Sequence, residues 1–390
     1  MASKLAHNYL PEFLALGLHS NKPRHVTVNI TEKCNQRCIY CEIGKGIPTV
    51  QSELLTVSDL KWVIDEMDKS GIRRLSLCGG EPFMFHGLFE VVAYASLKNI
   101  RTSVTTNGMT VYKCSNAELE ILRESKTDIN VSVDSFNPEI NAITRGTASA
   151  LPNALKSIKK LQQKNIPVTV LTAISRYNFH TLHEFIKEAV ETGIRQVLFQ
   201  PIIYASNYPD RKTLDDKHQL NVGPEGLANL MDQLRRIYHF EKRQPLNTNV
   251  YRILPWIESY LKTAAGQNGN WFFEEVLEKL YCREIYATID ISYNGSIQPC
   301  GLAEASVNIH GDRSADLVAM WQQATAGIKT ELETGNYPGI CNGCCHKFSR
   351  NMLASVIRYP AKNRSALMKM MPLLLSRIAS RTWKKLNRIS

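Results

Sequence analysis

Apolar and polar residues alternate in six short stretches between residues 24 and 203, and apolar residues at helical spacing fill the intervals. The alternating stretches predict strands at His25–Thr31, Arg73–Cys78, Arg101–Thr105, Ile129–Asp134, Pro167–Thr172 and Gln196–Ile202. The intervals predict helices at Thr56–Lys69, Leu88–Lys98, Asn116–Ser125, Ala148–Lys164 and Thr181–Thr192. Strands that alternate with helices predict an α/β fold with a parallel sheet and right-handed crossovers.

The 390 residues are expected to divide into five parts. A lead-in covers 1–23, the α/β part covers 24–215, and a connector or insertion covers 216–280. A small cysteine-bearing module covers 281–346, in which the Asn294-Gly295 pair predicts the turn of a β-hairpin. A basic helical tail covers 347–390.

The net charge of +11 belongs to the tail, where residues 347–390 contain eleven Lys or Arg and no Asp or Glu. Leu, Met and Trp383 recur beside these basic residues near helical spacing, which favours an amphipathic helix on a membrane surface. The alternatives are a helix packed on the protein and, less favoured, an arm that binds nucleic acid. The sequence shows no membrane span and no signal peptide, so we expect a cytoplasmic protein, peripheral at the inner face of the membrane.

Cys34, Cys38 and Cys41 follow the first predicted strand with C-x3-C-x2-C spacing. Ten cysteines in a chain with no evident signal peptide favour metal or redox chemistry over disulfides. Three thiolates with no fourth ligand nearby would leave one iron of a [4Fe–4S] cluster open to another molecule. The alternative is a structural zinc site, which would require a further Cys or His close by.

The cysteine spacing, with the aromatic Tyr40 before the last cysteine, resembles the radical S-adenosylmethionine (SAM) superfamily. A Gly-Gly-Glu-Pro motif after the second predicted strand strengthens the resemblance. The resemblance implies a partial (βα)6 TIM-like barrel with its active site at the carboxyl ends of the strands. It also implies a [4Fe–4S] cluster on the three cysteines, whose open iron chelates SAM.

The resemblance further implies a set of SAM-binding residues, comprising Tyr40, Gly79, Gly80, Glu81, Pro82, Asn107, Ser132 and Asp134. Glu81 is expected to contact the methionyl amino group of SAM. Ser132 and Asp134 are expected to help hold its ribose and carboxylate, with Arg145 as a further candidate. For Asp134, a capping role at the end of its strand is the alternative.

A second set of cysteines, Cys282, Cys300, Cys341 and Cys344, surrounds the predicted hairpin. This arrangement resembles the twitch module, a shortened SPASM domain, and implies a second, auxiliary [4Fe–4S] cluster with four protein ligands. Cys345 could replace Cys344 as the last ligand. The alternative is a zinc ion held by four cysteines.

The chemistry implied by the resemblance begins with reductive cleavage of SAM to methionine and a 5′-deoxyadenosyl radical, which abstracts a hydrogen atom from the substrate. An auxiliary cluster that accepts an electron from the substrate radical would make the enzyme an oxidoreductase. The electron donor would be a protein such as flavodoxin or ferredoxin. The residues do not identify a catalytic acid or base.

The substrate class follows less directly. Only about 23 residues precede the first predicted strand, fewer than a peptide-binding domain needs, so we expect a carbohydrate, aminocyclitol or lipid-linked substrate. The alternatives are a peptide- or protein-modifying maturase and an RNA-modifying enzyme that uses the basic tail.

Overall fold

A computed structural model describes residues 22–41, 43, 54–202, 220–264, 281–300, 303, 305, 307–311, 315–335, 341, 344, 351, 355–356, 359–368 and 372. Nearly all of the predicted lead-in and most of the predicted amphipathic tail lie outside these ranges. In the part of the chain that the structure describes, no helix is long and apolar enough to cross a membrane.

The strands are β1 His25–Thr31, β2 Arg74–Gly79, β3 Arg101–Thr106, β4 Asp128–Ser132, β5 Val168–Ile174, β6 Gln196–Pro201, β7 Asn247–Thr248, β8 Thr288–Ile291, β9 Ser296–Gln298 and β10 Val307–Asn308. The first six confirm the predicted strands, with ends that differ by at most two residues. The predicted hairpin is present as β8 and β9, which pair antiparallel across a turn where Gly295 has a φ of +80°.

The helices are α1 Val57–Lys69, α2 Leu88–Leu97, α3 Asn116–Glu124, α4 Pro138–Arg145, α5 Ala150–Gln163, α6 Leu182–Glu191, α7 Leu227–Phe240, α8 Val250–Ile253, α9 Ile257–Ala264, α10 Arg283–Ala287 and α11 Leu317–Thr334. α4 is not among the helices predicted from the sequence, because its eight residues give little more than two turns of periodicity. Its start is nevertheless encoded locally: Asn137 caps the helix and Pro138 occupies its first turn.

The sheet has the order β10-β9-β8-β1-β2-β3-β4-β5-β6-β7 and stays open among the described residues. Eight of these strands are parallel, because β7 pairs with β6 and β8 returns to pair with β1. A closed TIM barrel also has eight parallel strands, but its first and last strands pair with each other. Among the described residues β7 and β8 do not pair, so the observed architecture is a partial barrel. The six predicted strands form β1 to β6 and confirm the predicted partial barrel. Two further parallel strands extend it, namely β7, which has only two residues, and β8, which the tertiary fold pairs with β1.

The second half of the chain attaches to the first through both backbone and side chains. β8 extends the sheet from His25 opposite Thr288 to Val28 opposite Ile291. Behind the sheet, α11 buries Trp321 completely, and its first backbone N–H lies 3.4 Å from the buried carboxylate of Glu66 in α1. The described part of the cysteine-bearing module therefore extends the parallel sheet.

We expect Ile289→Ala in β8 to lower the free energy of unfolding by about 2–5 kcal/mol, because Ile289 is fully buried opposite Val26 and its removal leaves a cavity. Leu97→Ala is the matched control, since Leu97 is 78% exposed, and it should change stability by no more than about 0.5 kcal/mol. Urea denaturation of the two variants measures both values. Equal effects would contradict the close packing of β8.

Candidate active site at the carboxyl ends of the strands

The carboxyl ends of β1 to β4 bring the cysteine loop and the predicted motif residues to one edge of the sheet. The cysteine loop follows β1, the Gly-Gly-Glu-Pro segment spans the end of β2, Asn107 follows β3, and Asp134 lies just beyond β4. Parallel strands place their carboxyl ends together, and ligands bind there in α/β folds. The edge therefore has the location that the sequence predicts for the active site.

Gly80 lets the end of β2 lie directly against the cysteine loop. Its backbone N–H donates to the Thr31 carbonyl at 2.6 Å, and the next N–H, of Glu81, donates to the Lys33 carbonyl at 2.7 Å. A Cβ atom on Gly80 would stand 2.3 Å from that Lys33 oxygen. Position 80 therefore requires glycine, because the backbone that leads into Cys34 occupies the space of a side chain.

Glu81 is completely buried and ties β2 to β3. Its Oε1 accepts from Thr106 Oγ1 at 2.7 Å and from the Phe83 N–H at 3.0 Å, and its Oε2 accepts from the Asn107 N–H at 2.7 Å. Burial raises the pKa of the Glu81 carboxyl, and these three donors oppose the rise. A carboxylate has about four acceptor positions, so about one remains for the predicted contact with SAM.

Asn107 contacts the first cysteine. Its Nδ2 lies 3.7 Å from Cys34 Sγ and donates to Asn35 Oδ1 at 2.7 Å, while its Oδ1 accepts from the Met109 N–H at 2.9 Å. Burial raises the pKa of the Cys34 thiol, and the Gln36 backbone and the Asn107 amide oppose the rise. The loop after β3 therefore contacts the first two residues of the cysteine motif, Cys34 and Asn35.

Asp134 forms a buried ion pair with Arg145. Oδ1 accepts from Arg145 Nη2 and from the Ala173 N–H, each at 2.9 Å. Oδ2 lies 2.9 Å from Arg145 Nε and accepts from the Tyr40 hydroxyl at 2.5 Å. These four contacts use about all the acceptor positions of a carboxylate, so the side chain positions Arg145 and Tyr40. A direct contact between Asp134 and SAM stays a prediction.

The end of α4 supports the middle of the cysteine loop. Arg145 Nη1 lies 3.9 Å from Cys38 Sγ, and the Ile39 N–H donates to the Thr144 carbonyl at 3.2 Å. Gly146, with a φ of +74°, lies so close to the loop that a Cβ there would stand 2.2 Å from the Arg37 carbonyl oxygen. Arg145 was expected to help hold the SAM ribose and carboxylate; here its guanidinium lies between Asp134 and Cys38.

Burial also raises the pKa of the Cys38 thiol, to about 11, and the Arg145 cation opposes this rise. Of the remaining predicted residues, Ser132 is partly exposed at the end of β4, and Pro82 is buried at the start of a short 3-10 turn. The structure thus places all of the predicted SAM-binding residues at this edge.

Gln36 provides a test of whether the loop fits an iron–sulfur cluster. This side chain is 2% exposed, and its Nε2 has no hydrogen-bond partner among the described residues. A buried N–H donor without a partner suits a bound group rich in sulfur acceptors. No three His, Cys, Asp or Glu side chains in the described ranges converge on a single metal ion, but each cysteine of a [4Fe–4S] cluster binds its own iron. The residues therefore fit the group.

The second set of cysteines also gathers. Cys282 caps the start of α10, and burial raises the pKa of its thiol well above the ordinary value, with Cys341 and Cys344 close enough to add to the rise. Cys300 follows β9 and packs, with Cys282, against one small apolar cluster. Asn351 Nδ2 lies 3.5 Å from Cys282 Sγ. Cys345 lies outside the described residues.

We expect Gly80→Ala to lower the free energy of unfolding by about 1–3 kcal/mol and to reduce the iron bound, because the added methyl group displaces the cysteine loop. Gly327→Ala in α11 is the control, since a Cβ there would meet nothing within 4 Å. This substitution should stabilise the helix by about 0.5–1 kcal/mol. Urea denaturation and iron content after anaerobic reconstitution measure the two effects. Full iron binding by Gly80→Ala would show that the added methyl group does not displace the cysteine loop.

Asp134→Asn and Arg145→Met should each lower the free energy of unfolding by about 3–5 kcal/mol, because each leaves one buried polar partner without its counterpart. The double variant should cost less than the sum of the two. The exposed pair Arg101 and Asp128, 2.8 Å apart, gives the control cycle, for which we expect a coupling of about 0–1 kcal/mol. If the double variant lost as much stability as the two single variants summed, Asp134 and Arg145 would not be coupled.

Comparison with known proteins agrees with this geometry. Residues 28–189 match the family model of the radical SAM superfamily. AlbA of Bacillus subtilis, the antilisterial bacteriocin subtilosin biosynthesis protein, is 26% identical over 335 residues, which cover 83% of this chain and 67% of AlbA. The chain spans between 49% and 67% of the length of the first curated relatives it matches.

Two solved structures share the fold. SuiB of Streptococcus suis, bound to its precursor peptide SuiA, superposes with a TM-score of 0.60 and 16% identity, over 87% of this chain and 75% of SuiB. The protein anSMEcpe, bound to AdoMet and the Cp18Cys peptide, gives a TM-score of 0.59 and 14% identity, over 94% of this chain and 100% of anSMEcpe. The family match and the gathered motifs identify residues 28–189 as a radical SAM domain, and the two solved structures share its fold.

Proposed function

We propose that this radical SAM enzyme modifies a peptide or protein substrate and holds its SAM-binding [4Fe–4S] cluster on Cys34, Cys38 and Cys41. The observation that carries the site assignment is the support of the cysteine loop from three sides. The end of β2 supports its start, the loop after β3 supports Cys34, and α4 supports Cys38.

The residues around the loop would hold the cofactors rigidly. The bound cluster and SAM would supply a 5′-deoxyadenosyl radical that takes a hydrogen atom from the substrate. Because a cluster ligand must be a thiolate, the protons of thiols such as Cys38 are displaced when iron binds. The buried, hydrogen-bonded side chains of Glu81 and Asp134 would hold the edge of the sheet in place, which favours one orientation of SAM.

The substrate class is proposed from the relatives. AlbA acts in bacteriocin biosynthesis, and both solved structures were determined with a bound peptide. These names favour the peptide alternative over the carbohydrate, aminocyclitol or lipid-linked substrate expected from the sequence. The small-molecule substrate remains a prediction, and so does membrane contact through a tail that lies mostly outside the described residues.

An oxidoreductase activity would follow from the second set of cysteines. We propose an auxiliary [4Fe–4S] cluster on Cys282, Cys300, Cys341 and Cys344. The substrate would lose one hydrogen atom to the deoxyadenosyl radical, one electron to the auxiliary cluster and one proton to solvent, which completes a two-electron oxidation. A flavodoxin or ferredoxin would supply the electron that starts the reaction. The support for this proposal is the approach of Cys341 and Cys344 to Cys282, beside an apolar cluster shared with Cys300.

Replacing Cys34, Cys38 and Cys41 together with Ala should remove about four of about eight irons and abolish SAM cleavage. Cys282→Ala should lower the iron content by a similar amount but leave SAM cleavage measurable. Cys114→Ala is the control, since Cys114 ends a separate 3-10 turn and is not a proposed cluster ligand, and it should keep all the iron. Iron, sulfide and 5′-deoxyadenosine assays on anaerobically reconstituted protein measure these outcomes. Full SAM cleavage by the triple variant would refute the site.

The substrate proposal is tested by adding substrates to the reduced wild-type enzyme with SAM. A mixed peptide library should stimulate 5′-deoxyadenosine formation, and one component should lose two hydrogen atoms by mass spectrometry. A panel of sugars and aminocyclitols at equal concentration serves as the comparison. Stimulation by the small-molecule panel alone would overturn the peptide proposal and restore the expectation from the sequence.

A further inference from the structure

Gln36 lies within the cysteine loop, between the first two cysteines, and is almost fully buried at 2% exposure. Its two amide atoms have unequal surroundings. Oε1 accepts a hydrogen bond from Cys38 Sγ at 3.5 Å, whereas Nε2 has no partner among the described residues. A buried N–H group without an acceptor costs stability, so the unpaired donor indicates that a partner arrives when the site is filled.

Iron binding would turn the Cys38 sulfur from a hydrogen-bond donor to the Gln36 amide into an acceptor. A cysteine that ligates iron is a thiolate, so Cys38 would no longer donate to Gln36 Oε1. The amide oxygen would then face an anionic sulfur, which is unfavourable. A half-turn of the amide exchanges the positions of Oε1 and Nε2, because the two atoms occupy nearly equivalent places. The unpaired donor would then stand where Oε1 now stands, 3.5 Å from the Cys38 sulfur.

A second donor already approaches the same sulfur. Arg145 Nη1 lies 3.9 Å from Cys38 Sγ, and Asp134 holds the guanidinium through contacts of 2.9 Å. Hydrogen bonds to cluster sulfurs are one of the determinants of the reduction potential of a cluster. Because such bonds stabilise the extra negative charge of the reduced state, they raise that potential. With the Gln36 amide turned, the Cys38 sulfur would have two donors, Gln36 and Arg145, whereas the Cys34 sulfur has the Asn107 amide at 3.7 Å.

We propose that Gln36 is a positioning residue whose side-chain amide donates an N–H···S hydrogen bond to the Cys38 thiolate and raises the reduction potential of the SAM-binding cluster. The proposal rests on the cluster site assigned above. It extends that assignment by naming a residue that tunes the cluster without binding iron or SAM.

The variant test replaces Gln36 with Met, which keeps the length of the side chain but has no N–H. Full-length protein is reconstituted anaerobically, and the EPR signal that SAM perturbs is followed in a redox titration. We expect a normal iron content with a midpoint potential shifted to more negative values. Ile39→Val, in the same loop, is the control for altered packing and should leave the potential unchanged. An unchanged potential in Gln36→Met with full iron would overturn the proposal.

A second test needs no variant and so does not depend on folding of the Gln36→Met protein. Wild-type protein carrying 15N in its glutamine side chains is reconstituted and examined by pulsed EPR on the SAM-perturbed signal. We expect a weak 15N coupling together with an exchangeable proton that disappears in D2O. A cluster that binds SAM but shows neither coupling would overturn the role of Gln36. Failure of the wild type to bind iron at Cys34, Cys38 and Cys41 would instead refute the proposed function itself.

Discussion

The buried pair of Asp134 and Arg145 is the contact on which the candidate site depends. It joins the end of β4, the backbone of β5, the end of α4 and, through Tyr40, the cysteine loop. Withdrawing two charges from water is costly, and three hydrogen bonds to the Asp134 carboxylate, with the ion-pair contact to Arg145 Nε, offset that cost only in this arrangement. A loop attached to such a pair cannot shift without breaking charge-assisted bonds, so its position is defined before any cofactor binds.

The same principle governs the other side of the loop. Glu81 is buried and bonded to groups from β3, and the glycine before it lets two backbone N–H groups reach the start of the loop. The Glu81 carboxylate is thereby largely satisfied by protein donors. The edge of the sheet is built first as a rigid frame, and the cysteine sulfurs, together with a few unsatisfied donors such as Gln36 Nε2, are what it leaves for a ligand.

The continuity of the sheet gives the second half of the chain a fixed relation to the first. Because β8 pairs in parallel with β1, the strand that leads into the first cysteine loop is hydrogen-bonded on both sides. The hairpin that leads to Cys300 continues from β8. Paired backbone therefore connects β1, which leads into Cys34, with the hairpin that leads to Cys300.

Local structure and a candidate chemistry could be predicted from the order of residues alone. β-branched alternation marked six strands, capping residues such as Thr56 and Ser115 were in place to start helices, and the cysteine spacing with Gly-Gly-Glu-Pro indicated a radical SAM site. These are properties of neighbouring residues, so they can be read along the chain. Three features became visible only in the fold, namely the pairing of β8 with β1, the ion pair of Asp134 with Arg145, and the contact of Arg145, at the end of α4, with Cys38. Each of these joins residues far apart in sequence, and burial rather than local pattern selects the partner.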